Sequence, residues 1–120
     1  MGKAANSSIS LKQIHVTDNF WNKYVHLVKD VIIPYQWDIL NDKLEDVETS
    51  HCIENFKIAA GEKEGEFQGA VFQDTDVAKW LEAVGFVLNY ERDEKLEELA
   101  DETIELIGRC LLYTSPSPRD

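Results

Sequence analysis

Apolar residues recur at intervals of three and four along most of the chain, which is the spacing of one face of an α-helix. The first run follows Thr17 and Asp18, which suit a helix N-cap, and predicts a helix from residue 19 to about residue 32. Pro34 has no amide hydrogen for a helix interior but suits a first helical turn, so a kink or a second helix is expected from there to about Lys43. The apolar face of the first helix comprises Phe20, Tyr24, Leu27, Val28 and Val31.

Three further helices are predicted downstream. Ser50 is expected to cap a short helix over residues 51–60, which Gly61 ends. Asp93 is expected to cap a last helix over residues 94–109, apolar on one face and strongly acidic on the other. Between them, a helix over residues 75–89 places Val77, Trp80, Leu81, Val84 and Leu88 on one side. The predicted class is therefore all-α, with four or five helices packed as antiparallel hairpins.

The three tryptophans fall on three different predicted helices. Trp21, Trp37 and Trp80 are each expected to lie in the core, because burying an indole stabilises a fold substantially. The alternative is that they form platforms on which sugar rings stack.

Both ends of the chain differ from this helical region. Residues 1–10 are small and polar and are predicted to be a disordered N-terminus, ahead of a domain over residues 11–109. The last eleven residues, CLLYTSPSPRD, resemble a transposase-type sequencing adapter translated in frame, and a proline-bearing disordered tail is the alternative. We interpret residues 110–120 as derived from such an adapter and expect the natural protein to continue.

The composition narrows the classes of partner. The 120 residues are 43% hydrophobic and suit one modest domain, and their net charge of −11 would be repelled by nucleic-acid phosphates and by anionic membranes. Neither partner is expected.

The first residues, MGKAANSSIS, lack the apolar core of a signal peptide, so the chain as written begins like a cytoplasmic protein. A periplasmic or secreted location would need a signal ahead of Met1.

The segment EFQGAVFQDTDVAKWLEAVGF, residues 66–86, combines a glycine turn at Gly69 with polar groups at a helix start. Two carboxylates, here Asp74 and Asp76, are what glycoside cleavage requires, one as acid and the other as nucleophile or base. An N-cap followed by a first-turn acid gives the same pattern for structural reasons alone. In a third interpretation, Gln73 and one aspartate bind substrate hydroxyls without taking part in the chemistry.

Two more candidate residues lie together in the segment SHCIENF. His51, at the start of a helix, could face a pocket, whereas Cys52 is expected to be an inert core thiol rather than a reactive one. Once the tail is set aside Cys52 is a single cysteine, so neither a disulfide nor a site built from paired cysteines is predicted. The sequence contains no phosphate loop, zinc pattern or serine nucleophile elbow.

Three segments carry a resemblance to a known family: VIIPYQWDILND, SHCIENFKIAAGEKEGEFQGAVFQDTDVAKWLEA and DETIELIGR. Together they resemble the N-terminal part of the catalytic domain of bacterial β-L-arabinofuranosidases, glycoside hydrolases long classed as a domain of unknown function. The resemblance spans about residues 12–109, and IPYQW and VFQDTDVAKWLEA are its most specific motifs. It implies that the helices form the first part of an (α/α)6 barrel, which β-sandwich domains follow in the family.

The resemblance also implies a mechanism whose residues lie outside this chain. The family is understood to use a cysteine thiolate nucleophile, held by zinc among cysteines and a glutamate, with a second glutamate as acid/base. Cys52 does not sit in that motif and Cys110 belongs to the adapter-like tail, so no catalytic residue or metal ligand is predicted here. Zinc is expected in the intact protein only. The predicted substrate-binding residues, on one wall of the sugar pocket, are His51, Gln73, Asp74 and Asp76.

The predicted function is that of a truncated glycoside hydrolase. When intact, it would remove terminal β-L-arabinofuranosyl or related residues from plant-type glycans, while the fragment itself would be inactive and would expose apolar faces. A different hypothesis is a small acidic helical module that binds a protein partner without catalysis, and a third is a sugar-binding protein. The sequence leaves the sugar specificity and the oligomeric state open.

Overall fold

The computed structural model describes residues 7–114, and every regular element within that range is helical, which confirms the all-α class. In chain order the elements are a 3₁₀ turn at Leu11–Gln13, α1 at Asn19–Leu27, a π-helical segment at Val28–Ile32, α2 at Ile33–Leu40, α3 at Cys52–Ala59, α4 at Thr75–Tyr90 and α5 at Glu94–Thr114. Across residues 7–114, no helix is long and apolar enough to cross a membrane.

The disorder predicted for residues 1–10 falls partly on residues 1–6, which lie outside the described range. Within the described part, Ser10 accepts a hydrogen bond from the backbone N–H of Lys12 at 3.3 Å and so caps the first 3₁₀ turn.

A widened turn joins α1 to α2. Asp18 caps α1 as predicted, and its carboxylate accepts a hydrogen bond from the backbone N–H of Trp21 at 2.7 Å. Pro34 lies in the first turn of α2, directly after the π-helical segment. Its ring and its missing N–H do not fit a regular helix interior, and a π-helical turn is one way for a helix to absorb such a local disturbance. At the predicted kink, the chain therefore changes from α-helix to π-helix and back to α-helix.

Of three predicted ends of the later helices, two are confirmed and one is wrong. Asp93 accepts a hydrogen bond from the N–H of Leu96 at 3.1 Å and so caps α5, and Gly61, with φ of +74°, follows the end of α3. The predicted Ser50 cap is wrong. His51 occupies the N-cap position of α3 with φ of +59°, and the backbone N–H of the buried Ser50 instead donates to Asp42 at 2.6 Å.

The last helix is longer than predicted. Periodicity indicated an end at about Arg109, but α5 continues to Thr114, because no helix-breaking proline intervenes before Pro116. Its final turn brings the ring of Tyr113 against Gly61, where an added Cβ would lie 2.7 Å from the ring. The origin of residues 110–120 stays a prediction.

The core lies where α2, α3, α4 and α5 meet, with α4 contacting each of the other three. The apolar stripe predicted for α4 is confirmed at its centre, since Val77, Trp80 and Val84 are all buried. The other buried apolar residues are Ile33, Leu40, Cys52, Ile53, Ala60, Leu96, Ala100 and Leu106.

The three tryptophans have three different environments. Trp80 is 2% exposed, and its indole N–H donates to the carbonyl of Ile33 at 3.0 Å, so α4 is tied to α2. Trp37 is half-buried and packs on Trp80 with ring centroids 4.6 Å apart. The core position predicted for Trp21 is wrong, because this side chain is 60% exposed.

Trp21 belongs to an apolar surface that the described residues leave uncovered. Most of the face predicted for α1 is solvent-exposed, including Phe20, Tyr24 and Val31. Phe86 of α4 lies across the same shallow groove. The periodicity correctly predicted an apolar face, but most of this face stays exposed within residues 7–114.

Replacing Trp80 with phenylalanine tests the joint between α2 and α4. The substitution removes the buried indole N–H bond to Ile33 and part of the core volume, so we expect the free energy of unfolding to fall by about 1–3 kcal/mol. Urea denaturation followed by far-UV circular dichroism measures it. The control Trp21→Phe, at an exposed site, should change the value by less than about 0.5 kcal/mol. Equal effects of the two substitutions would contradict the assigned roles.

Candidate functional site

The N-terminal ends of α3 and α4 are fastened together by Cys52. This residue is 1% exposed, and its thiol donates a hydrogen bond to the carbonyl of Gln73 at 3.0 Å. The bond joins the first residue of α3 to the loop that precedes α4. Polar residues from the two helix starts are thereby held at one end of the fold.

Burial of the Cys52 thiol, with a smaller contribution from the negative charges of Asp76, Asp74 and Asp42, raises its pKa to about 11. The hydrogen bond to backbone at Val77 opposes this shift. A thiol that is buried and protonated at neutral pH is neither a nucleophile nor a metal ligand. The predicted core position of Cys52 is confirmed, and its lack of reactivity stays a prediction.

Gln73 organises the turn before α4. Its side-chain oxygen accepts a hydrogen bond from the backbone N–H of Ala70 at 3.0 Å. Gly69 has φ of +93°, and a Cβ added there would collide with that same oxygen. Gln73 would therefore contact a substrate through its side-chain NH2 group.

Asp74 and Asp76 are both exposed but have different neighbours. Asp74 occupies the N-cap position of α4 but is exposed, and its carboxylate makes no capping hydrogen bond, so the capping alternative is wrong for its side chain. Asp76, in the first turn, lines an open cavity of about 270 Å³ between α2 and α4. The other residues lining this cavity are Gln36, Ile39, Leu40, Lys79 and Trp80.

This cavity combines side chains that suit a small polyhydroxylated ligand. The carboxylate of Asp76 accepts hydrogen bonds, the ammonium of Lys79 donates them and the amide of Gln36 does both. Ile39, Leu40 and Trp80 add apolar wall, and such a mixture is typical of ligand sites. Sequence reasoning missed Gln36 and Lys79, although both lie within the motifs IPYQW and VFQDTDVAKWLEA.

His51 lies in a second group, around the start of α3. Its backbone N–H donates to both carboxylate oxygens of Asp42, at 3.1 and 3.0 Å. One possible ligand atom from each of Asp42, His51 and Glu54 lies within 4.8 Å of the others, an arrangement that could hold a metal ion. Lys63 hydrogen-bonds the Glu54 carboxylate, and this bond lowers the pKa of Glu54. Asp42 was also missed by sequence reasoning.

The predicted site residues take part in two different sets of contacts. Asp76 lines the cavity between α2 and α4, whereas His51 lies with Asp42 and Glu54 at the start of α3.

Comparison with known proteins agrees with this helical architecture. A sequence profile for the β-L-arabinofuranosidase GH127 catalytic domain matches residues 13–112. The non-reducing end β-L-arabinofuranosidase of Bifidobacterium longum subsp. longum is 38% identical over 109 residues, covering 81% of this chain and 17% of that protein. The crystal structure of Ara127N, a GH127 β-L-arabinofuranosidase from Geobacillus stearothermophilus T6, is 50% identical with a TM-score of 0.78, covering 88% of this chain and 18% of that one.

The fold and these matches define part of the catalytic domain of a glycoside hydrolase built on an (α/α)6 barrel, as the sequence predicted. The chain belongs to the GH127 family of β-L-arabinofuranosidases. It spans 17% and 18% of the lengths of the two relatives described above.

Replacing Gly69 with alanine tests the turn that Gln73 organises. The positive φ and the collision with the Gln73 oxygen both oppose a Cβ, so we expect a loss of at least about 1 kcal/mol in the free energy of unfolding. The control Gly85→Ala, in open space on α4, should be neutral or stabilising by up to about 1 kcal/mol. Urea denaturation measures both, and a neutral Gly69→Ala would contradict this structure of the loop.

The reactivity of Cys52 tests the tie between α3 and α4. With iodoacetamide at pH 8, we expect Cys52 to stay unmodified in the folded chain and to react in urea, as followed by peptide mass spectrometry. Because the folded-state pKa lies above the ordinary thiol value of 9.0, the contribution of this group to stability is full below that pH and is lost as the pH rises through about 11. Fast labelling of the native chain at pH 8 would contradict a buried Cys52.

Proposed function

We propose that the intact protein is a non-reducing-end β-L-arabinofuranosidase that removes terminal arabinofuranosyl or related residues from plant-type glycans. The single observation that carries this proposal is the 50% identity, with a TM-score of 0.78, to a GH127 β-L-arabinofuranosidase over 88% of this chain. Identity at that level over a shared backbone supports a shared substrate class as well as a shared fold.

In this proposal, the chain binds and orients the sugar without transferring protons to it. The carboxylate of Asp76 accepts hydrogen bonds from sugar hydroxyls, while Lys79 and Gln36 donate bonds to ring or hydroxyl oxygens. The cavity of about 270 Å³ is wide enough for one pentose ring but open to solvent. Further parts of the barrel would have to close it to exclude water.

The zinc centre implied by the family resemblance does not fit the thiols of this chain. Zinc is held by deprotonated cysteines, whereas Cys52 is buried, donates its S–H to Gln73 and has a raised pKa. Burial also raises the pKa of Cys110. The proposed zinc therefore belongs to other parts of the intact protein, and no step of the reaction is assigned here.

An exchange of segments tests the proposed function. Residues 13–109 of this chain replace the aligned segment of the Geobacillus enzyme, and the chimera should hydrolyse p-nitrophenyl β-L-arabinofuranoside, because the two chains are 50% identical on a shared backbone. The 120-residue chain alone should release no nitrophenol. In the chimera, Asp76→Asn should raise KM about tenfold or more, since a hydrogen bond to a charged group contributes about 1.5–3 kcal/mol. The control Glu82→Gln, at an exposed site on the same helix, should leave KM unchanged.

A chimera that folds, as judged by circular dichroism and size-exclusion chromatography, but has no activity would contradict the proposal. That outcome would favour the hypothesis of a helical module that binds a protein partner, for which the exposed aromatic face of α1 is the supporting observation.

A further inference from the structure

Three metal-ligating side chains converge at the start of α3, away from the cavity that Asp76 lines. Asp42 follows the end of α2, His51 occupies the N-cap position of α3, and Glu54 lies in the first turn of α3. One ligand atom of each lies within 4.8 Å of the others. We propose that Asp42, His51 and Glu54 bind a divalent transition-metal cation such as Zn²⁺ or Mn²⁺.

The backbone holds two of these residues in special conformations. Asp42 and His51 have φ of +57° and +59°, and they are the non-glycine residues with positive φ in the described chain. Such conformations are uncommon for residues with a Cβ and persist only where surrounding contacts fix them. Here the Asp42 carboxylate provides the contact, because it accepts hydrogen bonds from the backbone N–H groups of Ser50 and His51.

The observation that points to a ligand is the His51 ring. Its Nδ1 atom is buried and has no hydrogen-bond partner among the described residues. A buried polar atom without a partner costs free energy, and most native side chains avoid it. Binding of a cation through Nδ1 would remove this cost, because the metal would take the Nδ1 lone pair and the proton would lie on Nε2.

The donor set and its spacing suit such an ion. One imidazole and two carboxylates are ligands that zinc and manganese accept in proteins. Bonds of about 2.0–2.2 Å place two ligand atoms at most about 4.4 Å apart. The three ligand atoms all lie within 4.8 Å of one another, so side-chain rotations can bring them to metal-binding distance. Glu54 is suited to this, because it lies in the first turn of α3, three residues after His51 at the N-cap.

Lys63 competes with the cation. Its ammonium bonds the Glu54 carboxylate, but its side chain is 52% exposed and extends from a loop. It can therefore swing into solvent when a cation of higher charge takes its place. Removing the ammonium should strengthen metal binding, an effect that a general attraction of cations to this acidic chain would produce only weakly.

Isothermal titration of the 120-residue chain with MnCl2 and with ZnCl2 tests the site. We expect one ion per chain, weakened about tenfold or more by His51→Asn and by Glu54→Gln and strengthened severalfold by Lys63→Met. Asparagine is chosen at His51 because it tolerates positive φ. The matched control is Glu48→Gln, which removes the same charge from an exposed site between Asp42 and His51 and should leave affinity unchanged.

Two results would overturn the proposal. One is the absence of stoichiometric Mn²⁺ binding, because manganese prefers oxygen and nitrogen ligands and so excludes the cysteines as its site. The other is equal weakening by Glu54→Gln and Glu48→Gln, which would assign the binding to net charge alone. Lys63→Met is expected to raise the metal affinity, whereas a folding defect would lower it. Circular dichroism checks the helical content of the other variants.

Discussion

The hydrogen bond from the Trp80 indole to the carbonyl of Ile33 is the constraint on which the arrangement of the site depends. An indole that is 2% exposed must find an acceptor inside the protein, and this acceptor lies on a different helix. The bond therefore fixes both the distance and the rotation of α4 relative to α2. Asp76, one turn before Trp80, is thereby placed against the face of α2 that carries Gln36. The cavity therefore results from the way Trp80 joins α4 to α2.

A second buried bond extends this arrangement to α3. The Cys52 thiol holds the loop before α4 to the first residue of α3, so the starts of two helices lie side by side. Burial, more than the neighbouring acidic residues, raises the pKa of the thiol, and Asp42 accepts hydrogen bonds from the backbone of Ser50 and His51. Cys52 therefore contributes by packing and hydrogen bonding rather than by reactivity.

The sequence predicted those features of the fold that depend on contacts between residues close together in the chain. The caps at Asp18 and Asp93 and the buried stripe through Val77 and Trp80 depend on residues a few positions apart, and all of these predictions are confirmed. The position of Trp21 was predicted wrongly because periodicity identifies an apolar face but not what covers it. Asp42 was missed because its role depends on contacts eight and nine residues away, across a loop of no fixed pattern. Gln36 carried a signal in its motif, but its neighbour Asp76 comes from another helix.

In the function proposed above, α2 and α4 of this chain form one wall of the sugar site. The direct test is a crystal structure of the Geobacillus enzyme carrying residues 13–109 of this chain, soaked with L-arabinose. We expect electron density for the sugar within hydrogen-bonding distance of Asp76 and Gln36. Sugar bound elsewhere, with this cavity filled by side chains from the rest of the barrel, would contradict it.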